Sequence, residues 1–140
     1  MNSREWIEKL EAEYAGVKHL NAADYDYSNF LSVEDAIEYC TRCRDGSKWF
    51  GLNASPEYTP ESWDCDNKAR ALVNHICLDR HDSGKATPVC TGKAQDHMRK
   101  GEPFAMHAYV IFYDGEEIHA IDPRNSEIVE LDRVYQMEMI

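Results

Sequence analysis

Basic residues are scarce in this chain. Its 140 residues hold 15 Lys and Arg against 26 Asp and Glu, a formal net charge of −11. Nucleic acids and anionic membranes are bound through positive surface, so neither is expected as a direct partner. A long apolar run is missing as well, so no bilayer-spanning segment is expected. There is no internal repeat and no low-complexity tract. The start, Met1-Asn2-Ser3-Arg4-Glu5-Trp6, lacks the pattern of a secretory signal, and a cytoplasmic protein is expected. Five cysteines in such a setting read as reduced thiols rather than a disulfide framework.

A hydrophobic fraction of 43% and eight tyrosines fit a folded globule. The length suggests one domain, 1–140, with a helical N-terminal part over 1–61. The remainder, 62–140, is read as a cysteine-bearing helix plus a small antiparallel sheet. Ser3 is the expected cap of a first helix with Ile7, Leu10, Tyr14 and Val17 as its apolar stripe. Ser32 caps a second helix over 33–43, with Val33, Ala36, Ile37 and Cys40 inward. Cys40-Thr41-Arg42-Cys43 has zinc-ligand spacing, but no second pair follows it. Both cysteines are read as small core hydrophobes, and no metal or other cofactor is expected. Residues 81–103 are read as a long connection, rich in Lys and Arg, with a short helix open over 91–100 and Cys90 in a loop. A last strand is expected near 128–131, then a short apolar tail.

Two places carry chemistry. The first is Trp63-Asp64-Cys65-Asp66-Asn67, which opens the clearest helix. Ser62 can cap it, and Ala69, Leu72, Val73 and Ile76 recur at helical spacing. Free N–H groups and the helix dipole at such a start favour a thiolate at Cys65. The second is a hairpin. Residues 105–113 and 116–122 are strand-like and flank Asp114-Gly115, a strong two-residue turn signal. That turn places Tyr113 opposite Glu116, Ile111 opposite Ile118, Tyr109 opposite Ala120 and His107 opposite Asp122. Pro123 then ends the strand. A carboxylate beside an imidazole fixes its tautomer and stabilises its charged form.

Asp64-Cys65-Asp66, His107-Ala108-Tyr109 and Ile121-Asp122-Pro123, in that order, resemble the transglutaminase-like branch of the papain-like cysteine enzymes. The segment is also similar to short phage and bacterial proteins with an Asp-Cys-Asp motif and a His-Ala-Tyr strand. The likeness covers less than half of the chain. It implies a Cys65 nucleophile, a His107 acid and base, and an orienting Asp122, with Trp63, Asp64 and Tyr109 toward substrate. Two departures stand out. Lys68 occupies a position that is usually aromatic, and Thr59 one that is usually an oxyanion-hole Gln. The hole stays unassigned, with the Cys65 N–H as a partial donor. The chain is similar, too, to the NlpC/P60 cell-wall peptidases, for which His119 would be the third residue. The expected register puts His119 on the face away from His107, so Asp122 is preferred.

The resulting expectation is an α+β fold of papain-like or transglutaminase-like type, its helices packed on a small antiparallel sheet. The expected activity is a cysteine-dependent amide hydrolase or acyltransferase working on a protein or peptide, as a monomer or small homo-oligomer. If phage-encoded, it would act in the host cytoplasm. The alternative from another class is a catalytically silent acidic binder, such as a phage-type inhibitor of a host defence factor. A zinc module on Cys40 and Cys43 is a third.

Overall fold

A computed structural model describes residues 1–14, 24–44, 65–81 and 84–139. Among these, the elements are α1 (Ser3–Glu13), α2 (Val33–Arg44), α3 (Cys65–Asp79), β1 (Val89–Gln95), β2 (Met106–Tyr113), β3 (Ile118–Ile121), β4 (Ile128–Val129) and β5 (Gln136–Met139). The strands form one antiparallel sheet in the order β4-β3-β2-β1-β5. The α+β class is therefore as expected. No helix among the described residues is long and apolar enough to cross a membrane.

Both faces of the sheet are covered. On one, Leu72, Val73 and Ile76 of α3 and Ala36 and Cys40 of α2 pack with Val110, Phe112 and Ile121. On the other, Trp6, Leu10 and Tyr14 meet Tyr109, Ile111 and Met137. The central strand β2 is consequently apolar along nearly its whole length, with all but its first residue buried. Each large side chain so buried contributes about 1.5–3 kcal/mol.

The helix readings hold in part. The Oγ of Ser32 accepts the Asp35 N–H at 3.1 Å, as a capping serine should. The cap of α1, however, is Asn2. Its Oδ1 accepts the Glu5 N–H at 2.9 Å, and Ser3 is already helical. The inward stripe of α1 is led by Trp6 rather than Ile7, and Val17 lies outside the described residues. Cys40 and Cys43 are buried, while Ile37 is 36% exposed.

Two strands replace expected irregular chain. Residues 89–95 form β1, not a loop followed by a helix, and the terminal segment forms β5 on its outer edge. Thr91, Gly92, Lys93 and Gln95 give β1 no clean alternation, so pairing with β2 and β5 decides its state. Cys90 is buried within this strand. A Cβ at Gly92 would strike the Ile111 side chain and sit 3.3 Å from Val134 Cγ1. Gly92→Ala is expected to cost about 1–3 kcal/mol through overpacking, read as a lower urea midpoint at unchanged slope.

The hairpin is also longer than expected. Tyr113 pairs with Ile118, not Glu116, leaving residues 114–117 as the connection. Asp114 Oδ1 accepts the N–H groups of Glu116 and Glu117, both at 2.7 Å, and Gly115 takes φ 101°. A side chain satisfying two backbone donors favours this four-residue loop over the tighter turn. The register moves by two residues, Ile111 facing Ala120 and Val110 facing Ile121. Strand faces repeat every second residue, so every side chain keeps its expected side.

Candidate active site

Cys65 is the first residue of α3 and is only partly buried. Asp66 follows in the first turn, where a carboxylate suits the helix dipole, and pairs with Lys93 Nζ of β1 at 3.0 Å. That ion pair ties the start of the helix to the sheet. None of the five cysteines forms a disulfide. Burial pushes Cys43 and Cys90 up to about 12 and raises Cys77 as well, which leaves those thiols protonated and unreactive.

Cys65 Sγ lies 3.6 Å from Asp66 Oδ1, and the Cys65 thiol is one of the groups that raise the proton affinity of His107, on β2. The Nε2 of His107 is 2.8 Å from Asp122 Oδ1. A neutral ring donating from Nε2 leaves Nδ1 as the acceptor available to a thiol proton. Burial of the ring works against its charged form. The hydrogen bonds with Asp122 and Cys65 outweigh that and raise its proton affinity above the ordinary value.

The structure thus brings His107 and Asp122 together, by a route that differs from the expected one. Asp122 lies just beyond β3, in line with Tyr109 rather than directly opposite His107. The carboxylate reaches His107 along the diagonal of the same face, a separation that a histidine spans. A turn immediately follows. The N–H of Ser126 donates to Asp122 O at 2.9 Å, and Ser126 takes φ 62°. Cys40 Sγ is 3.7 Å from both the Asp122 and Pro123 carbonyl oxygens, and Thr41 Oγ1 is 3.2 Å from Ser126 Oγ. Helix α2 thereby holds the turn in place.

Three further residues complete the cluster, and sequence reasoning missed their roles. Arg124 folds back so that its Nη2 lies 2.8 Å from Asp122 Oδ2, and its backbone N–H donates to Oδ1 at 2.9 Å. The same guanidinium grips Asp96 with two bonds of 2.8 Å. His97 Nε2 is 2.9 Å from Asp122 Oδ2. Burial alone would raise the Asp122 pKa, but the bonds from His107 and Arg124 hold this carboxyl far below the usual range. The bonds from Arg124 hold Asp96 down to about 2. Asp96 also accepts the Met98 N–H at 2.9 Å, a local turn that aims His97 inward from the end of β1.

Tyr109 is fully buried and so offers no surface to a substrate. Its ring stands edge-on to His107 at 4.9 Å, and its hydroxyl accepts the His97 N–H at 3.1 Å. Trp63 and Asp64 lie outside the described residues, as do Ser62 and Thr59. His119 finds a separate partner, Asp114 Oδ2 at 2.8 Å, and stacks near Phe112 on the other face. Among the described residues no group of three or more His, Cys, Asp or Glu is arranged to hold a metal ion.

No family model and no curated protein matches this chain. A solved structure, the "PSL1a-E64 complex", shares its fold with a TM-score of 0.65 at 15% sequence identity. The match covers 98% of this chain and 50% of the other, so the chain spans half the length of that neighbour. At this identity the likeness is one of fold alone.

Proposed function

We propose that the chain is a cysteine-dependent amide hydrolase or acyltransferase of the papain-like or transglutaminase-like kind. One observation carries the reading: a partly exposed thiol at a helix start, an imidazole whose proton affinity that thiol helps to raise, and a buried carboxylate on Nε2 of that ring. Cys65 Sγ attacks the carbonyl carbon of an amide, and its proton passes to His107 Nδ1. His107 then delivers that proton to the leaving nitrogen as the C–N bond breaks, giving a thioester and a free amine. Water, activated by the same ring, hydrolyses the thioester; an amine in its place completes transfer. Asp122 keeps the proton of His107 on Nε2 throughout and stabilises the imidazolium. The substrate is a protein or peptide, and a reducing cytoplasm keeps the thiol available.

Iodoacetamide labelling resolved by peptide mass spectrometry tests this reading. Cys65 is expected to label first near neutral pH. In His107→Ala it is expected to label at least about tenfold more slowly, since the base is gone. E64, the compound named with the fold neighbour, serves as a second probe, expected to add to Cys65 and to leave Cys65→Ala unmodified. Equal labelling of Cys65 and Cys77, indifferent to His107→Ala, would point instead to a silent acidic binding protein.

A further inference from the structure

A groove of about 600 Å³ opens between the last turn of α1, the strands β3 and β4, and the chain that follows β4. It lies around Tyr113, at the end of β2 opposite to His107. Its floor is apolar. Tyr113 belongs to the core layer shared with Trp6 and Leu10, and Ile118, Val129 and Leu131 pack against that layer while staying only partly buried.

The rim is of one sign. Glu13, Glu116, Glu117, Glu130 and Asp132 all line the groove, and all are exposed. None of the five is in an ion pair among the described residues. The cations nearby are otherwise engaged: Lys9 lies over the Tyr113 ring at 5.0 Å, and Arg133 over the Tyr135 ring at 5.0 Å. Acids of one sign around an apolar floor focus negative potential into the groove. Lys9 shows how a cation sits on that floor, held by the face of an aromatic ring.

We propose that this groove is a docking site for a Lys- and Arg-rich segment of a partner protein, its cations on the acidic rim and an apolar side chain on the floor. The inference goes beyond the catalytic reading and does not depend on it. Charge complementarity selects the occupant: a cationic segment relieves the repulsion among five carboxylates that the chain leaves uncompensated. The floor selects a peptide over a simple polyamine, because a polyamine would neutralise the rim and leave Ile118, Val129 and Leu131 uncovered. The strand β4 ends the sheet on this side, and an extended segment can lie along such an edge.

Fluorescence anisotropy with a labelled peptide of alternating Lys and Leu tests the proposal. The triple variant Glu116→Gln, Glu117→Gln, Glu130→Gln is expected to bind it about tenfold more weakly, the sum of three exposed ion pairs. All three side chains are exposed, so the fold should survive. Glu5→Gln, Glu11→Gln, Glu34→Gln makes the same charge change at exposed positions outside the groove. It is expected to stay near wild type, since exposed charges beyond a Debye length are screened. Equal losses in the two variants would mean attraction to the acidic protein as a whole and would overturn the proposal. An all-Lys peptide of equal charge, and spermine, are expected to bind more weakly than the Lys-Leu peptide; equal affinity for either would overturn it. NMR needs no variant. The amide resonances of Ile118, Val129 and Leu131 are expected to shift on adding the peptide, and shifts confined to other residues would overturn the proposal. If the same resonances shift when the protein is concentrated without peptide, the occupant is a second copy of the chain and the proposal fails. None of these readouts uses Cys65, so the failure of this inference and the failure of the catalytic reading are separate results.

Discussion

Asp122→Asn is expected to lower the alkylation rate of Cys65 by about tenfold near neutral pH while leaving the fold in place, the scale set by an unactivated cysteine that is still a few per cent thiolate there. The cause is the loss of the carboxylate that orients and supports His107. An amide offers one acceptor oxygen and one donor nitrogen where the carboxylate offered two acceptors. In the native site both oxygens are in use, Oδ1 by His107 and the Arg124 N–H, Oδ2 by His97 and the guanidinium. Whichever way the asparagine turns, its NH₂ group confronts a donor. If it confronts His107, the ring must move its proton to Nδ1, and Nδ1 can then no longer accept a thiol proton. If it confronts Arg124, the imidazolium of His107 still loses its counter-charge. The variant should have the circular dichroism of wild type and a slow thiol. A fast thiol in a folded Asp122→Asn protein would mean that His107 works without the carboxylate, and the three-residue mechanism would have to be abandoned.

Arg124→Met should be the most destabilising exchange in the cluster. It removes one guanidinium and leaves two acids behind, Asp96 at 4% exposure and Asp122 at 0%. Deleting one partner of a buried ion pair costs about 3–5 kcal/mol, because the remaining charge stays buried without compensation. The Arg124 side chain is 32% exposed, so water relieves part of the loss and the lower end, about 3 kcal/mol, is expected. Urea denaturation measures it directly. Acid sharpens the contrast. Asp96, held down to about 2, contributes stability that is present above its ordinary carboxylate pKa and is lost as pH falls toward 2. Without Arg124 that depression largely disappears, and so does the acid-sensitive part of the stability. A variant as stable as wild type at neutral pH would show that the cluster is solvated far more than its burial implies.

Much of the site was readable because it rests on local rules. The stripe Ala69, Leu72, Val73 and Ile76 was visible as helix and is buried as such. The Asp114-Gly115 signal located a reversal, and side-chain parity carried His107 and Asp122 to one face even though the turn is longer than the strongest pattern implies. What stayed hidden depends on contacts far apart in sequence. β1 has Gly92 and Lys93 where a strand would show alternating apolar residues; its state is decided by β2 on one side and β5 on the other. The links from Asp122 to His97 and from Asp96 to Arg124 join β1 and its following loop to the turn after β3, across 25 and 28 residues. No periodicity reports such pairs. The one clue was a cation two residues after a strand-ending aspartate, next to a second Asp-His pair at 96 and 97.

The four-residue connection between β2 and β3 carries an implication for how such chains can vary. Lengthening or shortening it by an even number of residues slides the partner strand but returns every group to the side it came from, so chemistry at the far end survives within the reach of a histidine. An odd change would deliver Ile121 in place of Asp122 to the imidazole and turn the acid into the opposing apolar layer. Drift in this loop should therefore proceed in steps of two, and a lineage showing a single-residue step should also carry a compensating bulge in β3.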